Sequence, residues 1–172
     1  MVIPLSKQAV DDRETDPHAA ALRYGATYDT GAARIADARR AVRVLLVHAS
    51  RTAPTDVTER AEQDAQLVVS ELVTNALRHA PGPCGLVLEV SPCRERLSIT
   101  VWDTSSTLPR FHERDESRVG GHGLYLVRAC SRDLTVTSLP GGKRITAEID
   151  LGPAAPSGSG RAAREPGAAQ SP

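Results

Sequence analysis

Aromatic residues are scarce in this chain of 172 residues, which contains one Trp, one Phe and three Tyr. Proteins that bind single-stranded nucleic acid stack bases on aromatic side chains, so the composition does not indicate this class. The formal net charge is +0, and a balanced charge provides no general attraction for a phosphate backbone. We therefore expect no direct binding of nucleic acid.

Cysteines and long apolar runs are also few. Cys84, Cys93 and Cys130 include no Cys-x-x-Cys pair, so neither a disulfide framework nor a zinc site is predicted. No run reaches the roughly 18–20 apolar residues of a membrane span, and the N-terminus lacks a basic segment followed by an apolar one. These absences predict a soluble, reduced, cytoplasmic protein without a membrane segment.

The composition divides the chain into three parts. Residues 1–20 are polar, and residues 152–172 are rich in Ala, Pro, Gly and Ser, so both ends are expected to be disordered tails. Residues 21–151 keep a periodic apolar pattern and are long enough for one hydrophobic core. A single domain between two tails is the predicted organisation.

Helical and strand patterns alternate within residues 21–151. Thr55 or Asp56 is expected to cap the second helix, and residues 104–119 are expected to form a lid. Strand hairpins with helices on one face predict an α/β (α+β) two-layer sandwich, with a mainly antiparallel mixed sheet. The predicted strands lie near 22–28, 85–90, 97–102, 134–139 and 144–151, and the predicted helices near 32–50, 56–80 and 122–131.

The most informative motif lies between Ser70 and Ala80. Glu71 and Asn75 are four residues apart in a helical pattern and therefore share one helix face, with Arg78 close to the same stripe. A carboxylate, an amide and a guanidinium on one face provide a base, a metal ligand and an anion contact. The same spacing also occurs on solvated helix faces, where ion pairs contribute about 0.2–0.5 kcal/mol each.

Two further motifs follow in the order that a nucleotide site requires. A half-buried strand pattern ends at Asp103, whose carboxylate can accept a hydrogen bond from an amino group such as N6 of adenine, although Asp is also a common turn residue. Gly120, Gly121 and Gly123 precede a helical pattern, so bare backbone N–H groups and a helix N-terminus converge, as phosphate binding needs. Glycine clusters are also frequent in simple turns.

Together these motifs resemble the GHKL ATP-binding domain, the Bergerat-type fold of gyrase and the histidine kinases. Glu71-x-x-x-Asn75 resembles the N box, Asp103 begins a segment similar to the first glycine box, and Gly121-x-Gly123 resembles the second. The likeness covers about residues 22–151. It is greatest to the single-domain anti-sigma-factor serine/threonine kinases of actinobacterial regulators.

The resemblance implies a Mg-ATP site and a protein kinase. Asn75 would bind Mg²⁺, Glu71 would orient or deprotonate the attacking hydroxyl, and Arg118 would reach the γ-phosphate. The implied partner is a STAS-type anti-anti-sigma factor or a sigma factor, so the chain would regulate transcription, and a homodimer is compatible with this. The residues expected to bind ATP are Asn75, Arg78, His79, Asp103, Gly120, Gly121, His122, Gly123 and Leu124.

Two departures from the family pattern leave alternatives open. Thr104, Ser105 and Ser106 replace the glycines of the first box, and Arg144 replaces a threonine that in relatives helps to bind adenine through water. The main alternative is an interaction module, nucleotide-binding or nucleotide-independent, that sequesters a partner without phosphorylating it. A histidine-kinase catalytic domain is least favoured, because only one upstream helix, containing His48, could carry a phosphoacceptor.

Overall fold

The computed structural model describes residues 2–3, 22–29, 34–52, 56–109 and 122–153. Along the chain, three pairs of consecutive strands are separated first by two helices and then by one helix. The elements are β1 (Val2–Ile3), β2 (Leu22–Tyr28), α1 (Arg34–Thr52), α2 (Glu59–His79), β3 (Cys84–Val90), β4 (Arg96–Asp103), α3 (His122–Cys130), β5 (Asp133–Leu139) and β6 (Gly142–Asp150).

The strands form one six-stranded sheet in the order β1-β2-β3-β4-β6-β5. Each pairing between described strands is antiparallel, so the sheet is not mixed in this part of the chain. The helices cover one face of the sheet, and α2 packs against both α1 and α3. The predicted two-layer α+β sandwich is confirmed.

The central strands β4 and β6 show how the pattern of the chain places the core. In β4, alternate residues are buried under the helices, while Ser98, Thr100 and Trp102 between them lie on the open face. Each buried residue of β4 pairs with a buried residue of β6, so the buried side chains of the two strands form one row under the helices. The pairs along this row are Leu97 with Ile149, Ile99 with Ala147, Val101 with Ile145, and Asp103 with Lys143. The apolar row therefore ends in an acid and a base.

Helix α2 is capped by Thr58, so the prediction of Thr55 or Asp56 is wrong. The Thr58 hydroxyl accepts a hydrogen bond from the Ala61 N–H at 3.1 Å, which satisfies a free donor of the first turn. The Thr58 N–H donates to the Leu151 carbonyl at 3.0 Å, so the cap is fixed by the end of β6, a contact that local sequence does not reveal.

Part of the predicted N-terminal tail belongs to the sheet. Val2 and Ile3 pair with Ala26 and Gly25 of β2, so the expectation of disorder is wrong for these two residues. This pairing satisfies backbone N–H and C=O groups on the edge of β2 that faces away from β3. The remainder of residues 1–20, and residues 154–172 of the C-terminal tail, lie outside the described residues. Among the described helices, none combines the length and apolarity that crossing a membrane requires.

A tight backbone contact joins β6 to the end of β4. A Cβ at Gly142 would collide with the backbone carbonyl oxygen of Asp103. We expect Gly142→Ala to lower the free energy of unfolding by about 1–3 kcal/mol, because the strands must move apart. Urea unfolding measures this, with Gly152→Ala as the control, since a Cβ there has nothing within 4 Å. Equal unfolding midpoints for the two variants would contradict the close approach.

Candidate functional site

A cavity of about 460 Å³ lies between α2, the start of α3, the start of β6 and the segment that follows β4. Its volume falls within the roughly 300–1,000 Å³ typical of small-molecule sites. The cavity is lined by Glu71, Thr74, Asn75, Arg78, His79, Ser105, Thr107, Leu108, Pro109, Gly123, Leu124, Lys143 and Ile145. Each side of the cavity has a distinct chemical character.

The α2 wall carries the residues singled out by their spacing. The structure brings Glu71, Asn75 and Arg78 to the same wall, because they follow one another by four and three positions on the helix. Leu72 and Ala76 on the opposite face are buried against the sheet, and this burial fixes the rotation of α2. His79 also lines the cavity and ends the helix. The wall thus combines a carboxylate, an amide, a guanidinium and an imidazole.

Glu71 is in close contact with the beginning of α3. A Cβ at Gly123 would collide with the Glu71 Oε2 atom, so the carboxylate lies directly against this glycine. The N-terminal end of a helix carries a partial positive charge, and a carboxylate there is stabilised. The absence of a side chain at Gly123 therefore allows α2 and α3 to hold the carboxylate at the edge of the cavity.

A buried ion pair lies at the other end of the cavity. The Lys143 Nζ donates to Asp103 Oδ1 at 2.9 Å, and the two side chains are only 7% and 5% exposed. The Ser105 N–H also donates to Asp103 Oδ1, at 2.8 Å. Lys143 and Ser105 line the cavity, whereas Asp103 does not. The structure therefore pairs the carboxylate predicted to contact adenine with a lysine that lines the cavity.

Sequence reasoning did not identify Lys143 as a site residue. The signal that could have found it is the strand register, because Lys143 is the residue paired with Asp103 on the helix-covered face. The two residues are 40 positions apart, and no local pattern predicts their pairing.

Arg144, which stands where relatives are expected to carry a threonine, does not line the cavity. Side chains alternate along β6, so Arg144 is exposed while Lys143 and Ile145 line the cavity. Thr146 lies on the same open face as Arg144, where its hydroxyl is 3.0 Å from that of Thr100. The expectation that Arg144 removes a contact to adenine is therefore wrong, because position 144 faces away.

Polar side chains hold the turn after β4 where relatives carry glycines. The Thr104 Oγ1 accepts a hydrogen bond from the Gly82 N–H at 3.0 Å, which ties this turn to the end of α2. A hydrogen bond from the Ser105 N–H to the Asp103 carboxylate closes the turn at its beginning. Leu108 is half exposed at the cavity wall. Of the predicted lid, residues 110–119 lie outside the described residues.

Several predicted site residues are not described by the structure. Arg118, Gly120 and Gly121 lie outside the described residues, as does the side chain of His122. The backbone of His122 begins α3, and Leu124 lines the cavity beside Gly123. The described part of the second glycine box therefore borders the cavity.

A neutral thiol lies near the ion pair. Burial raises the pKa of the Cys84 thiol above its ordinary value, and the negative charge of Asp103 raises it further. Cys84, Cys93 and Cys130 are all free. Cys84 is therefore protonated at neutral pH and behaves as a small apolar core residue.

Comparisons with known proteins agree with this architecture. A search among curated proteins found no match. A solved structure, the RsbU and RsbW domains of Rv1364c from Mycobacterium tuberculosis, is similar with a TM-score of 0.54 and 18% identity over 75% of this chain. The match covers 32% of that chain, so this protein corresponds to about a third of it.

The model of the histidine kinase-like ATPase domain matches residues 31–149. This range includes every cavity-lining residue, from Glu71 on α2 to Ile145 on β6. The match extends over more than half of the sequence. The chain therefore belongs to the family of histidine kinase-like ATPase domains.

Proposed function

We propose that this protein binds Mg-ATP in the cavity and transfers the γ-phosphate to a serine or threonine of a partner protein. The observation that carries the proposal is the convergence of Glu71, Asn75 and Arg78 with the start of α3 on one cavity. Phosphoryl transfer depends mainly on positioning and on neutralising charge, and this set of groups supplies both.

The residues present fit a magnesium–phosphate group. Asn75 supplies a side-chain oxygen atom, the type of ligand that Mg²⁺ prefers, and Mg²⁺ commonly binds through one or two such groups with water completing the shell. Arg78 supplies a guanidinium for phosphate oxygens, and Gly123 supplies backbone at a helix N-terminus. When bound, Mg²⁺ would neutralise phosphate charge beside Asn75.

Glu71 would act on the attacking hydroxyl. Its carboxylate lies against Gly123 and is therefore held at the edge of the cavity. In the proposed step the hydroxyl oxygen of the partner forms a bond to the γ-phosphorus, the bond to the β-phosphate oxygen breaks, and Glu71 accepts the hydroxyl proton. The proposed phosphate contacts also include Arg118, Gly120, Gly121 and the His122 backbone, and His79 remains a proposed ATP-binding residue.

The proposed partner is a STAS-type anti-anti-sigma factor, with a sigma factor as the competing partner. Support comes from the motif resemblance and from the structural similarity to a solved chain that includes an RsbW domain. In this proposal the chain is a cytoplasmic regulator of transcription that controls a sigma factor through phosphorylation, and it acts as a homodimer.

Mg-ATP is expected to raise the melting temperature by roughly 5–10 °C. At a ligand concentration of ~100 times the dissociation constant, binding to the folded state alone adds about 2.7 kcal/mol to its stability. Differential scanning fluorimetry or calorimetry measures the shift. An unchanged melting curve in millimolar Mg-ATP would contradict nucleotide binding.

Asn75→Ala is expected to remove the magnesium-dependent part of this shift, because it deletes the proposed ligand. Gln63→Ala provides a matched control, since Gln63 also carries an amide on α2 but is exposed and bonds to Glu59 instead. Equal shifts for the two variants would show that Asn75 does not bind the metal.

The second candidate function is a module that sequesters a partner without phosphorylating it. The observation that favours it is the Asp103–Lys143 ion pair, because the carboxylate expected to select adenine does not line the cavity. Partner binding that is the same with and without Mg-ATP, together with no phosphate transfer, would support this candidate.

A further inference from the structure

Thr74 differs from the other serine and threonine residues within the described helices. Ser50, Thr52 and Ser70 each donate a hydrogen bond from the hydroxyl to the carbonyl four residues earlier, at 3.1, 2.9 and 2.6 Å. Such bonding back to the helix is the usual outcome for a hydroxyl in a helix interior. In the part of the chain that the structure describes, the Thr74 hydroxyl has no hydrogen-bond partner, and the residue is partly exposed.

The Thr74 side chain is therefore able to turn its hydroxyl toward a ligand. A threonine in a helix divides between two rotamers, which direct the hydroxyl differently, and a bond to a carbonyl of the previous turn selects one of them. Without that bond neither rotamer is favoured by the helix itself. The branched Cβ leaves few other conformations, so little side-chain entropy is lost when a ligand accepts a hydrogen bond.

Thr74 lies among the proposed catalytic and binding groups. It lines the cavity on the α2 wall, three residues after Glu71, next to Asn75 and four residues before Arg78. Residues three and four apart on a helix are neighbours, with Cβ atoms about 5–6 Å apart. The hydroxyl therefore lies between the proposed base and the guanidinium proposed to bind phosphate.

The position of Thr74 along α2 relates it to the phosphate end of the cavity. Beyond the C-terminal end of the helix, the Gly82 N–H donates to Thr104 Oγ1 at 3.0 Å, and Thr104 follows Asp103, the residue expected to contact adenine. Glu71 lies toward the other end. Thr74 is about 4.5 Å along the axis from Glu71, and the five remaining residues of α2 add about 7.5 Å toward the adenine end.

We propose that Thr74 binds the terminal phosphate of the nucleotide, with its hydroxyl donating a hydrogen bond to an oxygen of the γ-phosphate. This inference rests on the proposed function and deepens it, because it assigns a group that distinguishes ATP from ADP. A hydroxyl supplies a donor without a charge. Thr74 can therefore contact the phosphate without forming an ion pair with Glu71.

Isothermal titration calorimetry of the full chain with Mg-ATP and Mg-ADP tests this assignment. Thr74→Val replaces the hydroxyl with a methyl group and retains the branched shape of the side chain. We expect the dissociation constant for Mg-ATP to rise about tenfold, the scale of a lost hydrogen bond to a charged group, and that for Mg-ADP to stay within about twofold of the wild type. Thr74→Ala, which favours a helix more than Thr, is measured beside it and should show the same loss.

Two further variants serve as controls. Thr74→Ser keeps the hydroxyl and is expected to keep most of the affinity for Mg-ATP, which a role of the methyl group in packing would not allow. Thr52→Val makes the same exchange on α1, where the hydroxyl donates to the His48 carbonyl at 2.9 Å. We expect it to bind both nucleotides as the wild type does. Circular dichroism establishes that each variant is folded.

The results distinguish this inference from the proposed function. Wild-type affinity for Mg-ATP in Thr74→Val or Thr74→Ala overturns the assignment while nucleotide binding stands. Equal losses for Mg-ATP and Mg-ADP overturn it as well, as does a loss in Thr74→Ser as large as that in Thr74→Val. If the wild type itself does not bind Mg-ATP, the proposed function fails and the inference fails with it.

Discussion

Asp103→Ala is expected to lower the free energy of unfolding by about 3 kcal/mol, which corresponds to a fall of roughly 6–12 °C in melting temperature. The substitution leaves the Lys143 ammonium without its carboxylate partner in a site where both side chains are almost fully buried. A strand-end Asp in solvent would contribute little. Chemical denaturation, fitted to a two-state model, measures the change.

The control for this prediction is Asp150→Ala. Asp150 is also an acid in a strand, paired with Arg132 at 3.3 Å, but the two side chains are 48% and 60% exposed. Exposed ion pairs contribute about 0–1 kcal/mol, so this variant should remain close to the wild type. If Asp103→Ala and Asp150→Ala lose equal stability, then Asp103 is only a turn residue.

A double-mutant cycle separates the ion pair from other effects. In the combined variant Asp103→Asn and Lys143→Met no uncompensated charge remains buried. We therefore expect the double variant to lose less stability than the sum of the two single variants. Strict additivity would show that the 2.9 Å contact contributes no interaction energy.

Glu71→Gln is expected to slow phosphate transfer at least ~10²-fold, the usual scale for loss of a general base. Mg-ATP binding and partner binding should remain, because the amide keeps the size of the side chain and one acceptor oxygen. Single-turnover transfer of labelled γ-phosphate to the STAS-type partner measures the rate. Glu59→Gln, an exposed acid in the first turn of the same helix, should transfer at the wild-type rate.

Gly123→Ala tests the Glu71 carboxylate by a substitution on α3. The added Cβ would collide with the Glu71 Oε2 atom and displace the carboxylate. Folding should be retained, because the atom displaced is the end of a flexible side chain and Ala favours a helix more than Gly. We expect slower transfer in a variant whose melting temperature does not fall.

Two experimental results would contradict the proposed kinase activity. Transfer at the wild-type rate by Glu71→Gln would show that Glu71 is not the base. Absence of transfer by the wild type, with equally tight partner binding by the wild type, Glu71→Gln and Asn75→Ala, would identify a sequestering module.

Much of the fold could be predicted from periodicity. The strand over Leu22–Tyr28 was predicted with the bounds that the structure has, and the predicted helices near 32–50 and 56–80 correspond to α1 and α2. The common wall of Glu71, Asn75 and Arg78 also followed from spacing alone. These features are local, since the repeat of a helix or a strand determines which side chains share a face.

The remaining features depend on contacts between distant parts of the chain. The Thr58 cap of α2 is held by the Leu151 carbonyl, and Val2 and Ile3 belong to the sheet because they pair with β2. A short stretch of sequence around Thr58 does not include Leu151, and one around Val2 and Ile3 does not include β2. Boundaries and caps were therefore less predictable than the elements themselves.

The two-layer fold and the α2 wall of the cavity follow from the order of the amino acids, because the helical and strand periods of apolar residues specify which faces are buried. The opposite end of the cavity depends on contacts between strands that are distant in the chain. The register of β4 and β6 places Lys143 opposite Asp103 and turns Arg144 outward. Strand pairing joins residues 40 positions apart, and an ion pair across that distance arises from the packed sheet rather than from any local pattern.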